Sequence, residues 1–126
     1  MKTIVDKLKT AEQEISNQKG QFALFALFLP EDSEDKWDLL VSSSWINENK
    51  QDALKYIARK VQKTLTPKEL TLISRIVIID EDNPALNSIH RAIHVEHGDA
   101  EIQNSNFFGL FIKHAYLITS KKEQKK

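Results

Sequence analysis

A chain of 126 residues has the length of one domain and can bury about 65–70% of its unfolded surface; with 40% hydrophobic and 29% charged residues, it has the balance of a folding chain and not of a disordered one. The absence of cysteine excludes disulfides, thiolate nucleophiles and cysteine-held zinc or iron–sulfur centres. The 18 basic and 18 acidic side chains cancel, which argues against a dedicated nucleic-acid or anionic-membrane binder unless the charges are segregated along the fold.

The first residues, MKTIVDKLKTAEQEI, carry charges every few positions and hold no apolar run of signal-peptide length. Thr3 to Lys19 reads as an amphipathic helix with a thin stripe of Ile4, Leu8, Ala11 and Ile15, a capping pair of Thr3 and Asp6, and a stop at Gly20. Phe22 to Leu29 is apolar on both alternating faces and ends at Pro30, the pattern of a strand buried on both sides. It is the longest apolar run and is too short to span a bilayer, so no membrane association and a cytoplasmic location are expected. Pro30 to Lys36 is a loop with four acidic residues, and Trp37 to Ser43 is a second strand that completes a hairpin.

A helix is predicted from about Asn49 to Leu65, with Ala53, Leu54, Ile57, Val61 and Leu65 as its apolar stripe. Lys55, Arg59 and Lys63 recur every four residues on another side and make a basic ridge. Thr66, Pro67 and Glu69 have the form of a capping box opening a short helix. Ile76 to Ile79 is a β-branched run typical of a buried strand, ending in Asp80, Glu81 and Asp82. Asn83 and Pro84 open a further helix that Gly98 is placed to close. Ala100 to Asn104 is then a short strand, Asn104 to Asn106 a turn, and Phe107 to Thr119 a long strand. On that last strand Leu110, Ile112, His114, Tyr116 and Ile118 share one face, Phe111, Lys113, Ala115, Leu117 and Thr119 the other, and Gly109 marks a bulge. The expected architecture is a single α+β domain over residues 1–120, with a mixed or antiparallel sheet of about five strands covered by three main helices. Residues 121–126, KKEQKK, are expected to be a disordered charged tail.

The strongest hint of chemistry lies between Asn83 and Glu101, which holds three of the four histidines. His90, His94 and His97 at i, i+4 and i+7 share a helical face, but they span about 10 Å, so one divalent metal reaches two of them and needs a ligand from elsewhere. Asp80 and Glu101 have the right chemistry, as do Asp99 and His114. The competing explanation is a core helix: Leu86, Ile89 and Ile93 bury one face, His90 and His94 flank it, and His97 complements the helix dipole. Asp80, Glu81 and Asp82 are equally explained by turn and cap duty. Ser42, Ser43 and Ser44 lack the glycine-flanked elbow of a serine nucleophile, and Gly20, Gly98 and Gly109 are too dispersed for a nucleotide-binding loop.

Two surface features complete the reading. Phe107 and Phe108, beside Asn104 and Asn106, have the composition of an exposed interface anchor. The acidic loop Glu31 to Asp35 and the basic ridge Lys55, Arg59 and Lys63 are opposite in sign, so the loop of one subunit can meet the helix of another. The function expected from the sequence is therefore a non-catalytic regulatory or protein-interaction module that self-associates as a homo-oligomer. The alternative is a metal-dependent hydrolase of nuclease or phosphodiesterase type built on His90 and His94 with nearby carboxylates.

Overall fold

The most apolar stretch of the sequence becomes the centre of the sheet. In a computed structural model, which describes residues 1–107 and 109–122, β1 (Leu24–Pro30) lies between β2 (Trp37–Ser42) and β5 (Leu110–Ser120), antiparallel to both. β3 (Ile73–Ile78) runs parallel to β2 at one edge, and β4 (Ala100–Phe107) antiparallel to β5 at the other, giving the order β3-β2-β1-β5-β4. Both sides of β1 are sealed, and Leu24, Phe25, Ala26 and Leu27 are fully buried. Each large side chain removed from water in this way contributes about 1.5–3 kcal/mol. The fold is the expected α+β arrangement with a five-stranded mixed sheet.

One sheet face is well covered. α1 (Lys2–Lys19) and α3 (Lys50–Thr64) pack there against Phe25, Leu27, Leu39, Val41 and Ile118. The helix stripe of α1 is broader than expected, because Val5 and Glu12 are buried alongside Ile4, Leu8, Ala11 and Ile15. The Thr3–Asp6 capping pair does not form: α1 begins one residue earlier, with Met1 at its N-cap and no side-chain cap. Gly20 ends it at φ 134° and ψ 166°, a conformation that residues with a Cβ avoid, and a Cβ there would lie 3.2 Å from Trp45 Cδ1. The parallel β2–β3 pair requires a crossover, supplied by α2 (Ser44–Glu48), α3 and α4 (Pro67–Leu70). The capping box of Thr66 and Glu69 opens α4 as expected.

The other face carries a single helix, α5 (Pro84–Ala92), over Leu24, Ala26, Ala115 and Leu117. Laid across the strands its nine residues would reach about 14 Å at 1.5 Å per residue, and laid along them it would cover about 10–12 Å of sheet width. The outermost strands of a five-stranded sheet lie about 19 Å apart at 4.8 Å per spacing. α5 therefore cannot cover this face, and the remainder stays open beside β2 and β3.

Several sequence expectations are corrected by tertiary pairing. β3 is an edge strand, half-exposed and not buried, since β2 is its sole strand neighbour among the described residues. α5 stops at Ala92 and not at Gly98: Ile93 is extended, and Val95 pairs with Ser120 through backbone bonds of 3.0 and 2.8 Å. β-sheet pairing of the β-branched Ile93–Val95 segment thus overrides the helical spacing of its histidines. β4 runs on through Asn104 and Asn106 to Phe107, so Phe107 ends one strand instead of opening the next. Gly109, at φ 91°, lies in the turn, where its N–H donates to Asn106 Oδ1 at 2.8 Å. The strict alternation expected along β5 breaks where the register against β1 shifts around Lys113, which puts Ile112 with Ala115 and Leu117 while His114, Tyr116 and Ile118 face the α1 side. No helix among the described residues is long and apolar enough to cross a membrane.

Candidate functional site

The histidines do not converge. His90, on α5, donates from Nε2 to the Ala23 carbonyl at 2.9 Å, tying the helix to the start of β1. His94 is exposed, beyond the helix end. His97 turns the other way, at φ 51°, and its Nδ1 donates to Glu12 Oε1 at 2.5 Å. Two of the carboxylates named with them are engaged elsewhere, Asp80 pairing with Lys50 at 2.6 Å and Glu101 accepting from His114 Nε2, while Asp99 is exposed. Among the described residues no three histidine or carboxylate side chains come together at a point that could hold a metal ion. The helical spacing that suggested a shared face does not exist, because two of the three residues lie outside the helix.

His97 instead closes a buried network. Glu12, on the inner side of α1, is fully buried and accepts from Thr119 Oγ1 at 2.7 Å as well as from His97. Thr119 Oγ1 in turn accepts the His97 backbone N–H at 3.2 Å. These bonds hold the left-handed His97 and pin α1 onto β5, a structural task that satisfies a carboxylate otherwise costly to bury. A second pair, Glu101 and His114, lies on the α1 side near the β4 edge. Its imidazole packs against Trp37 and Tyr116, with ring centroids 5.4 and 4.8 Å away. The hydrogen bond from His114 holds the Glu101 carboxyl below its ordinary value, and burial, with Glu101 adding to it, pushes the Tyr116 phenol up.

The acids at the end of β3 contribute to a shallow hollow of about 520 Å³ lined by Asn47, Lys50, Asp80, Glu81 and Asp82, in which Lys50 already neutralises Asp80. Of the surface phenylalanines expected, Phe107 is buried, its ring 6.2 Å from that of Phe28, and belongs to the core; Phe108 lies outside the described residues. Lys55, Arg59 and Lys63 are exposed on α3, and none of them forms an ion pair among the described residues. Leu54, expected in the core, is 38% exposed beside that ridge.

The feature that the fold does assemble is a groove on the open part of the α5 face, with a volume of about 480 Å³. Register explains its floor. Phe28 stands opposite Asp38 on β2, Asp38 opposite Arg75 on β3, and Leu40 opposite Val77, so all point to the same face. Ile79 and Ile112 complete the apolar floor. Arg75 spans the floor, donating from Nε and Nη2 to the two carboxylate oxygens of Asp38 at 3.3 and 3.4 Å. Phe111 forms one wall and is 59% exposed; behind it lies a second hollow of about 310 Å³ that shares Glu31 and Ile112. The rim is acidic. Glu31 and Asp32 line the groove, Glu34 and Asp35 follow in the same loop, and none of the four is ion-paired among the described residues. The Glu31 N–H donates to the Phe111 carbonyl at 3.2 Å, and Lys113 Nζ donates to the Ser33 carbonyl at 3.1 Å, so one backbone and one side-chain bond hold this loop over the start of β5.

Sequence reading passed over this groove. The available signals were Asp38 and Arg75, each a charged residue set in a strand of apolar neighbours on the same face as Leu40 and Val77. The chain matches no known family model, no curated protein and no solved structure, so its functional reading rests on the geometry above.

Proposed function

We propose that this chain is a non-catalytic protein-interaction module whose docking surface is the acid-rimmed groove beside α5. The observation that carries this reading is the combination of an open apolar floor with an exposed aromatic wall and a rim of unpaired carboxylates. An apolar floor of this kind gains by losing water, while unpaired carboxylates around it select a partner of positive charge. Such a partner is an amphipathic segment with an apolar ridge and lysine or arginine beside it, the helix-in-groove mode of recognition. Among the described residues that line the groove with the Asp38–Arg75 pair there is no histidine or hydroxyl side chain, and the further carboxylates, Glu31 and Asp32, are exposed at the rim, an arrangement that favours binding over catalysis.

Calorimetric titration with a leucine–lysine amphipathic peptide, and with a leucine–glutamate peptide of the same length, tests this. Binding of the lysine peptide alone, weakened by salt and by E31Q/D32N, is expected. Equal binding of both peptides, or of neither, would contradict the reading.

A further inference from the structure

The same chain carries a surface complementary in charge to the groove. Two large hydrophobic residues stand out as exposed among the described residues, Leu54 and Phe111. Phe111 walls the groove on the α5 face, and Leu54 lies on α3, which packs on the opposite face. Around each one sign predominates, although Arg75 lies in the groove floor paired with Asp38, Lys113 reaches the Ser33 carbonyl, and Asp52 precedes Leu54 by two residues. Glu31, Asp32, Glu34 and Asp35 surround the groove end, whereas Lys55, Arg59 and Lys63 follow Leu54 along the outer side of α3. Lys60, the remaining cation of that segment, is taken by Glu14, so the three others keep their charge for an external partner.

The helix has the form that the groove requires. Leu54 and Ala58 are one turn apart, and Lys55 and Arg59 are one turn apart directly beside them, so α3 presents an apolar ridge flanked by positive charge. The apolar part of the ridge is these two residues, since the positions one turn beyond them, Lys50 and Gln62, are polar. We infer that α3 of one copy docks in the groove of a second copy, Leu54 meeting Phe111 and the apolar floor while Lys55 and Arg59 meet the acidic rim. This inference rests on the groove reading above and names its partner. Because the two surfaces lie on opposite faces of the sheet, the contact is heterologous. Each copy keeps one surface free, and the assembly either closes as a ring or grows as a chain.

Sedimentation equilibrium of the whole protein tests it. In low salt the average mass should rise with concentration beyond a dimer, and it should fall toward the monomer at about 0.5 M salt, where the Debye length shrinks to a few ångströms. Two variants separate the surfaces. L54Q/K55Q/R59Q removes the ridge and leaves the groove; E31Q/D32N/F111S removes the groove and leaves the ridge. All six positions are exposed, so both variants should keep the wild-type circular dichroism spectrum. Each alone should weaken self-association by about tenfold or more, and mixing them in equal amounts should restore a single capped pair of one copy of each. A wild-type chain that stays monomeric at every concentration and salt overturns the inference. So does a mixture that fails to pair, or a ridge variant that assembles like the wild type. If the wild type is monomeric yet the leucine–lysine peptide binds the groove, the groove reading stands and only the identity of its partner fails; if neither associates, both fall.

Discussion

Asp38 and Arg75 face each other across the parallel β2–β3 pair, with the nearly buried carboxylate held by a guanidinium that is largely exposed. The pair therefore does two things. It satisfies a charge in the floor of the groove, and it neutralises a positive charge that would oppose the basic partner proposed above. Arg75→Ala should lower stability by about 1–2 kcal/mol, since Asp38 loses its donors while solvent screening limits the loss. The same variant should bind a basic peptide more tightly, by a few-fold, because the groove becomes more negative. Urea unfolding and peptide titration on one preparation check both; a loss of stability accompanied by weaker peptide binding would contradict the assigned polarity of the site.

The Glu12, His97 and Thr119 network is expected to matter for folding and not for binding. Thr119→Val removes a 2.7 Å hydrogen bond to a fully buried carboxylate and should cost about 2 kcal/mol. A double-mutant cycle with His97→Ala should show coupling above about 0.5 kcal/mol, since both residues hold the same carboxylate. Additive losses would mean that the network does not act as a unit. Peptide affinity should stay at its wild-type value in all three variants.

Phe107 and Phe111 are four residues apart and should behave oppositely. Phe107→Ala opens a cavity beside Phe28 and should cost about 3–5 kcal/mol. Phe111→Ser, at an exposed wall, should change stability by less than about 0.5 kcal/mol while weakening peptide binding. Thermal unfolding and titration of the two variants distinguish them, and a large stability loss at Phe111 would place it in the core instead.

How much of this could be read before folding differs from residue to residue. Phe22 to Leu29 announced a central strand because apolarity on both alternating faces has no other economical use, and Thr66, Pro67 and Glu69 announced a helix start because the capping chemistry is local. The histidine helix failed because i, i+4, i+7 spacing is a statement about a helix, and the helix ended when Val95 found Ser120, a partner 25 positions away. Leu54 failed for a related reason: helical periodicity placed it at the margin of the stripe, and only the packing of α3 on the sheet decides which margin is covered. The groove was invisible because its members come from β1, β2, β3 and β5, and nothing in local patterning says that α5 is too short to cover the face they share. The acidic loop and the basic ridge were visible as charge, and the fold adds that each lies beside an exposed hydrophobic residue.

Glu101 gives a dependence on pH. The hydrogen bond from His114 lowers its carboxyl below the ordinary value of 4.5 in the folded chain. A group whose folded value is depressed stabilises the fold above its unfolded value, and that contribution fades as pH falls through the folded value. Wild type and Glu101→Gln should therefore differ in urea midpoint near pH 6, with the difference shrinking below about pH 4.5. A constant difference between pH 6 and pH 3 would mean that the His114 contact does not set the Glu101 titration.

The central claim is that the open half of the α5 face is where this protein meets its partner, and backbone and methyl NMR during peptide titration tests it most directly. With the leucine–lysine peptide, shifts should concentrate at Leu40, Val77, Ile79, Ile112 and the Glu31–Asp32 rim, and leave the Glu12, His97 and Thr119 network unmoved. Shifts confined to the α1 face, or scattered without reference to the groove, would contradict it.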